Sequence, residues 1–340
     1  MKKFMKGCLI TALILFVFGV VLYGVFGVLG GFGQLKAMNG QAFNLWGHQM
    51  RLAYSGYGTW YITDGDSDEK VFDWPEGGNS IEDSEKEKTE YNASDIRNLE
   101  IECGGNNLVI QESEDDYIWV ARESDAWPVR YKLQGGTFSL YSEKNWRWWD
   151  SWRWGERTQR TVYLYLPKGM TLDSIDLEIG AGALDCMALE ADEIDVEVDA
   201  GAAVMQSLKG KEVELHVNAG GMEVSEVTAE ELSAETGAGS LVIGNFSADE
   251  ISLNASAGSL EADGKIGRNA DIECGAGTIS MNLQGAETDY DYELECSIGE
   301  ICIGGNEYSG LSSEKTIRNG GRGVLDVECS VGNIIINFAE

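Results

Sequence analysis

The chain has 340 residues, 43% of them hydrophobic, and a formal net charge of -32. That length and apolar content suffice for a buried core, and a repeat architecture can exceed the usual domain size. The charge excludes nucleic acid as a partner, because neutralising phosphates takes clustered Lys and Arg.

The N-terminus opens with Lys2, Lys3 and Lys6 and then runs apolar from Cys8 to about Phe32. A helix of that length, at 1.5 Å per residue, spans a hydrocarbon core of about 30 Å. Lysines before the run and no matching cluster after it predict a single-pass transmembrane helix within residues 1–33. The N-terminus is then cytoplasmic, and the rest of the chain lies outside the cell. A cleaved signal peptide is the competing reading. The apolar run is long for one, and Leu35-Lys36-Ala37 is a poor cleavage site.

Residues 34–94 read as an aromatic juxtamembrane segment and an acidic linker. Trp46, Tyr54, Tyr57, Trp60 and Tyr61 suit either the membrane interface or an early β-element. From 64 to 90 there are eleven acids against three lysines, a composition that predicts a flexible spacer.

A β-domain is expected from 95 to 340. Its first part, 95–170, reads as an N-terminal cap. Leu99, Ile101 and Cys103 and then Leu108 and Ile110 match a repeat template, with Asn106 in its corner slot. Runs at 117–121, 129–133, 137–142 and 161–166 have the alternation of hairpin strands.

The second part, 171–340, carries the repeats. Gly182, Gly201, Gly220, Gly239, Gly258 and Gly277 fall 19 residues apart, each preceded by alanine. Gly299 and Gly332 continue the series after longer intervals, with Ile298 and Val331 in the alanine slot. Period-2 alternation on both sides of a small-residue corner reads as two strands joined by a tight bend. A fixed period of this kind means stacked units, so the fold class is an all-β solenoid of about 19-residue coils. The corner alanines are expected to face inward. The last coil, 325–338, ends the chain.

Few residues point to chemistry. Cys103, Cys274, Cys296 and Cys329 share the core-facing position three before the corner, with Cys274 and Cys296 expected as neighbours. A buried thiol ladder, one disulfide, or a metal site are the readings of that column. The outward positions four and six before each corner form acidic columns, with His216 between Glu197 and Glu235. They read either as a face that binds cations, focused on Glu197, His216 and Glu235, or as a solvated exterior. Glycine corners followed by strands, with no lysine in place, make poor phosphate cradles. With only His48 and His216 present, acyl-transfer chemistry has little support. No cofactor is implied.

Residues 144–160 stand apart: Trp146, Trp148, Trp149, Trp152 and Trp154 lie among Arg147, Arg153 and further cations. They read as a patch that docks an envelope protein, a glycan or a membrane surface, or as rings covering the end of the stack.

The Lys-flanked anchor, the strand at 162–166 leading into Pro167-Lys168-Gly169, and the alternating strands with glycine corners resemble a bacterial family. It is the "putative adhesin" β-strand-repeat family of unknown function, also grouped as toastrack domains, and the resemblance covers about 95–338. It implies a stacked-strand domain on an envelope protein, with adhesion or envelope-stress signalling as the role and no catalytic residues to carry over. The segment 144–160 and the acidic spacer depart from the family pattern. The reading is thus a non-enzymatic cell-envelope module, with a carbohydrate-active enzyme on a β-helix as the alternative.

Overall fold

The computed structural model describes residues 42–45, 48–54, 60–64, 79–81 and 87–339, apart from 124–125, 127–128, 143–159 and 310–312. The expected transmembrane helix lies outside the described residues. The chain divides into two compact units, 1–76 and 77–340. In the first, Ala42–Leu45, His48–Tyr54 and Trp60–Asp64 form an antiparallel three-stranded sheet.

The second unit is the solenoid. Each level is a strand, a three-residue corner and a second strand, and successive levels pair parallel and in register at a spacing of 19. Ile194 faces Val213, Val213 faces Leu232, and Leu232 faces Ile251. Inward residues such as Val196, Leu215, Met222, Ile243 and Ile272 are buried between the two sheets. At the opposite bend four strands run on for 16 residues: Ala183–Val198, Gly221–Thr236, Ser240–Ala255 and Ser259–Cys274, the last two with a register shift there.

The corner explains the glycine. Gly201, Gly220 and Gly239 do not have the positive φ that favours glycine; the demand comes from close approach. A Cβ on Gly239 would collide with the carbonyl oxygen of Gly220 and lie only 2.6 Å from Val217 Cγ1. That oxygen is the acceptor for the next coil, as Ser240 N–H donates to Gly220 O at 3.1 Å. Ala202 donates to Gly182 O and Ser259 to Gly239 O in the same way, both at 3.0 Å. The corner backbone is thereby satisfied level by level. The alanines before these glycines face solvent, contrary to expectation: Ala219 and Ala238 are exposed. Ile298 and Val331 in the same slot are 69% and 59% exposed.

The ends are more elaborate than the repeats. The runs at 137–142 and 161–166 are not a hairpin with each other. Thr137–Ser142 pairs parallel to Asn98–Cys103, and Thr161–Pro167 pairs parallel to Asn107–Ser113, so together they form a level outside the first coil. Antiparallel Val129–Gln134 and Tyr117–Arg122 cover that level. Asn79–Ile81 and Glu87–Asn92, from the stretch expected to be spacer and linker, pair onto them in turn. Such cover removes the open parallel edge on which another chain could add. Asn106 stands in the glycine slot beside a level whose strands are joined by eighteen residues rather than three. Its buried amide donates to Ser142 Oγ at 2.7 Å.

At the other end the order of the levels is permuted. Gly323–Cys329 pairs with Ser259–Cys274 on one side and Tyr290–Cys296 on the other. Asn333–Ala339 likewise lies between Thr278–Gln284 and Glu300–Ile303. The last coil is therefore interior, and the level before it in sequence is outermost, covered by antiparallel Asn306–Ser309 and Ser313–Ile317. Cys274 and Cys296 are consequently not neighbours; Cys329 stands between them. Large rings fill both ends of the core. Tyr131 stacks on Phe138 at 6.0 Å, and Tyr290 lies 6.4 Å from Phe338.

Outside the first sheet the acidic columns run from level to level at about 4.8 Å. Burial, then the carboxylates of Asp195 and Glu100, hold Asp176 above the usual carboxylate range. Burial, then Asp271 and Glu293, do the same to Asp326. Asp291 goes the other way. Burial pushes it up, but the backbone N–H groups of Gly321, Asn319 and Gly320 and the Arg318 guanidinium outweigh this and hold it low.

Three outcomes follow from this architecture. Gly239→Ala should overpack the corner and cost about 1–3 kcal/mol in urea unfolding, whereas Ala238→Ser, on the exposed side, should stay within about 0.5 kcal/mol. Equal stabilities would mean that the corner is not close-packed. Deleting residues 323–340 removes an interior level, so limited proteolysis should then cut within 286–321; a protected 286–321 would contradict the permuted order. The third outcome concerns pH. The raised carboxyls bind protons more readily folded than unfolded. Their stabilisation is complete below the unfolded value, near 3.9 for Asp, and is lost as pH rises through the folded value. Asp291 stabilises above the unfolded value, and its contribution is lost as pH falls through its lowered folded value. From these groups the melting temperature should climb from pH 7 to about 3.9 and drop at lower pH. A steady fall from pH 7 downward would show the columns to be fully solvated.

Candidate functional site

Strand Glu212–Val217 turns Val213, Leu215 and Val217 inward and Glu212, Glu214 and His216 outward. His216 pairs in register with Glu197 on one side and Glu235 on the other, as the 19-residue spacing predicts. The side chains sort differently. Glu197 Oε1 accepts a hydrogen bond from Asn218 Nδ2 at 2.8 Å, which draws it toward the corner. The imidazole instead has Glu214 Oε2 3.4 Å from Nε2 and Glu235 Oε2 3.7 Å from Nδ1. Asp195, opposite Glu214 on the neighbouring level, completes a group with Glu214 and His216. Their ligand atoms all lie within 4.8 Å of one another. Of the expected trio, then, His216 and Glu235 meet and Glu197 does not, while Asp195 and Glu214 were not anticipated. The signal for Glu214 was available, since residues i and i+2 of a strand share a face.

Further along this face Ser233 and Ser252 replace acids in the column six before the corner. The shorter side chains open a cavity of about 440 Å³, lined by Glu231, Glu250, Asp271 and Asp326 around the two serines. At the opposite bend Lys209 pairs with Glu190 at 2.7 Å and Lys211 with Asp192 at 2.9 Å.

The thiol column is packing rather than chemistry. Cys103, Cys274, Cys296 and Cys329 are buried and free. Burial pushes Cys103 up to about 12 and Cys329 to about 11. Cys103 Sγ donates to Asn106 O at 3.2 Å and Cys296 Sγ to Gly299 O at 3.1 Å, so both thiols brace corners. Neutral, inward-facing sulfur of this kind is a poor nucleophile and a poor metal ligand.

The Trp/Arg candidates Trp146, Arg147, Trp148, Trp149, Trp152, Arg153 and Trp154 lie outside the described residues, but their attachment points do not. Ser142 is in register with Cys103, and Thr161 with Asn107. Eighteen residues, 143–160, thus join two strands whose counterparts on the adjacent level are joined by three, 104–106.

The family model described as Toastrack DUF4097 matches residues 96–337. No curated protein matches the chain. Among solved structures, a "putative adhesin" from Parabacteroides distasonis is 12% identical, covering 75% of this chain and 98% of its own, with a TM-score of 0.40. A "putative lipid binding protein" from the same species is 13% identical over 78% and 98%, with a TM-score of 0.37. A "putative cell adhesion protein" from Clostridium sporogenes is 11% identical over 75% and 99%, with a TM-score of 0.24. With the family model spanning the solenoid from its first coil to its last, the chain belongs to the Toastrack DUF4097 family.

Proposed function

We propose that the chain is a non-enzymatic binding module of the bacterial cell envelope. In this reading the N-terminal single-pass helix holds it in the membrane, with the solenoid outside, and residues 144–160 dock the partner. The observation that carries it is the length of this connection. The adjacent level turns with three residues, whereas here eighteen intervene between Ser142 and Thr161, including five tryptophans and five cations. Nothing in the stacking geometry needs them. Tryptophan and arginine are the side chains that anchor interfaces, through ring area and planar hydrogen bonding. Five cations in a chain of charge -32 suit an anionic envelope component, a glycan or a lipid headgroup. Adhesion and envelope-stress signalling are both consistent with such a module. The alternative, a carbohydrate-active enzyme on a β-helix, would place its acids in the cavity at Glu231, Glu250, Asp271 and Asp326.

The test is to delete residues 145–155 from the full-length chain and compare binding to envelope fragments, an immobilised anionic glycan and phosphatidylglycerol vesicles. The expected result is loss of binding with an unchanged melting temperature. A lowered melting temperature would assign the segment to closing the stack, and glycan cleavage that survives the deletion would favour the enzyme.

A further inference from the structure

We propose that Asp195, Glu214 and His216 bind one divalent transition-metal ion, with Glu235 as the outer partner of the imidazole. Among the described residues this is the one group whose ligand atoms converge in this way, within 4.8 Å of one another. The distances are loose enough for a small movement on binding to bring all three onto one ion.

An acidic crowd alone would not single out this level, because carboxylates face one another along much of the column. The imidazole does. Its two nitrogens face carboxylates on opposite sides, Glu214 at Nε2 and Glu235 at Nδ1. A metal ion held by Nε2, Glu214 and Asp195 would leave Nδ1 facing Glu235, a carboxylate–histidine–metal relay in which the outer carboxylate orients the ring and raises ligand basicity. The ligands also come from two adjacent levels, Asp195 from one and Glu214 with His216 from the next, so their backbones are held by the ladder.

The donor set selects the ion. One imidazole and two carboxylates suit borderline divalent metals such as Co²⁺, Ni²⁺ or Zn²⁺; thiophilic ions prefer sulfur, and Ca²⁺ and Mg²⁺ prefer all-oxygen shells. Half-exposed side chains leave the remaining positions to water or to a ligand atom from outside. The site is thus a metal-dependent contact point on the acidic sheet, on a surface whose charge gathers cations.

Titration of the untagged full-length chain with Co²⁺, read by its visible absorption and by equilibrium dialysis, tests the assignment. One site with nitrogen and oxygen ligation is expected. His216→Asn and Asp195→Asn should each abolish the absorption band, Glu235→Gln should weaken affinity about tenfold, and Glu273→Gln, elsewhere in the column, should leave it unchanged. Undiminished Co²⁺ affinity in H216N, or Ca²⁺ binding as tightly as Co²⁺, overturns the proposal. Should H216N fail to fold, D195N alone decides: an unchanged band in that variant has the same meaning.

Discussion

The contact on which this solenoid depends is the approach of one corner glycine to the next. The carbonyl of each corner occupies the space a side chain would need and accepts the N–H that starts the following strand. Hydrogen bonding and steric exclusion thus act at the same atom. The corner fixes the register of both strands leaving it, and a slip of one residue would turn every core side chain to solvent. Sheet, core and outward columns all inherit their alignment from that point.

This explains why so much of the architecture was legible. A residue with no Cβ must recur wherever levels stack, so the period appears directly in the sequence, and alternation on either side supplies the strands. Asn106 is the instructive exception. It occupies the slot beside the level whose strands are joined by eighteen residues rather than three, and its amide donates to Ser142. The alanines misled because small size suits both a crowded interior and an exposed tight turn; period alone does not separate the two.

Other features were hidden for identifiable reasons. The levels ending in Cys274, Cys296 and Cys329 carry the same inward pattern, so each is a competent neighbour for the others, and spacing cannot rank them. Intervals longer than 19 marked the disturbance without giving its form. In the acidic columns, backbone register correctly set His216 between Glu197 and Glu235. Side-chain contacts then depended on which carboxylate found another donor, and Asn218 took Glu197. Backbone pairing is readable at a distance in sequence, whereas the final few ångströms of a polar site are decided by local competition.

The permuted final coil has a kinetic side. During synthesis, 290–303 emerges before 323–339, yet its native neighbour is the later segment. At that moment the exposed ladder of 270–284 offers it a parallel edge with matching apolar alternation. Docking there would bury much the same surface in the slot that the later coil must occupy. Completion then requires this early pairing to open, so that native pairing competes against a near-equivalent one built from the same strands. Strands 306–309 and 313–317, which follow 290–303, hold that segment's outer edge in the finished stack, and the decision rests on which coil captures the inner one.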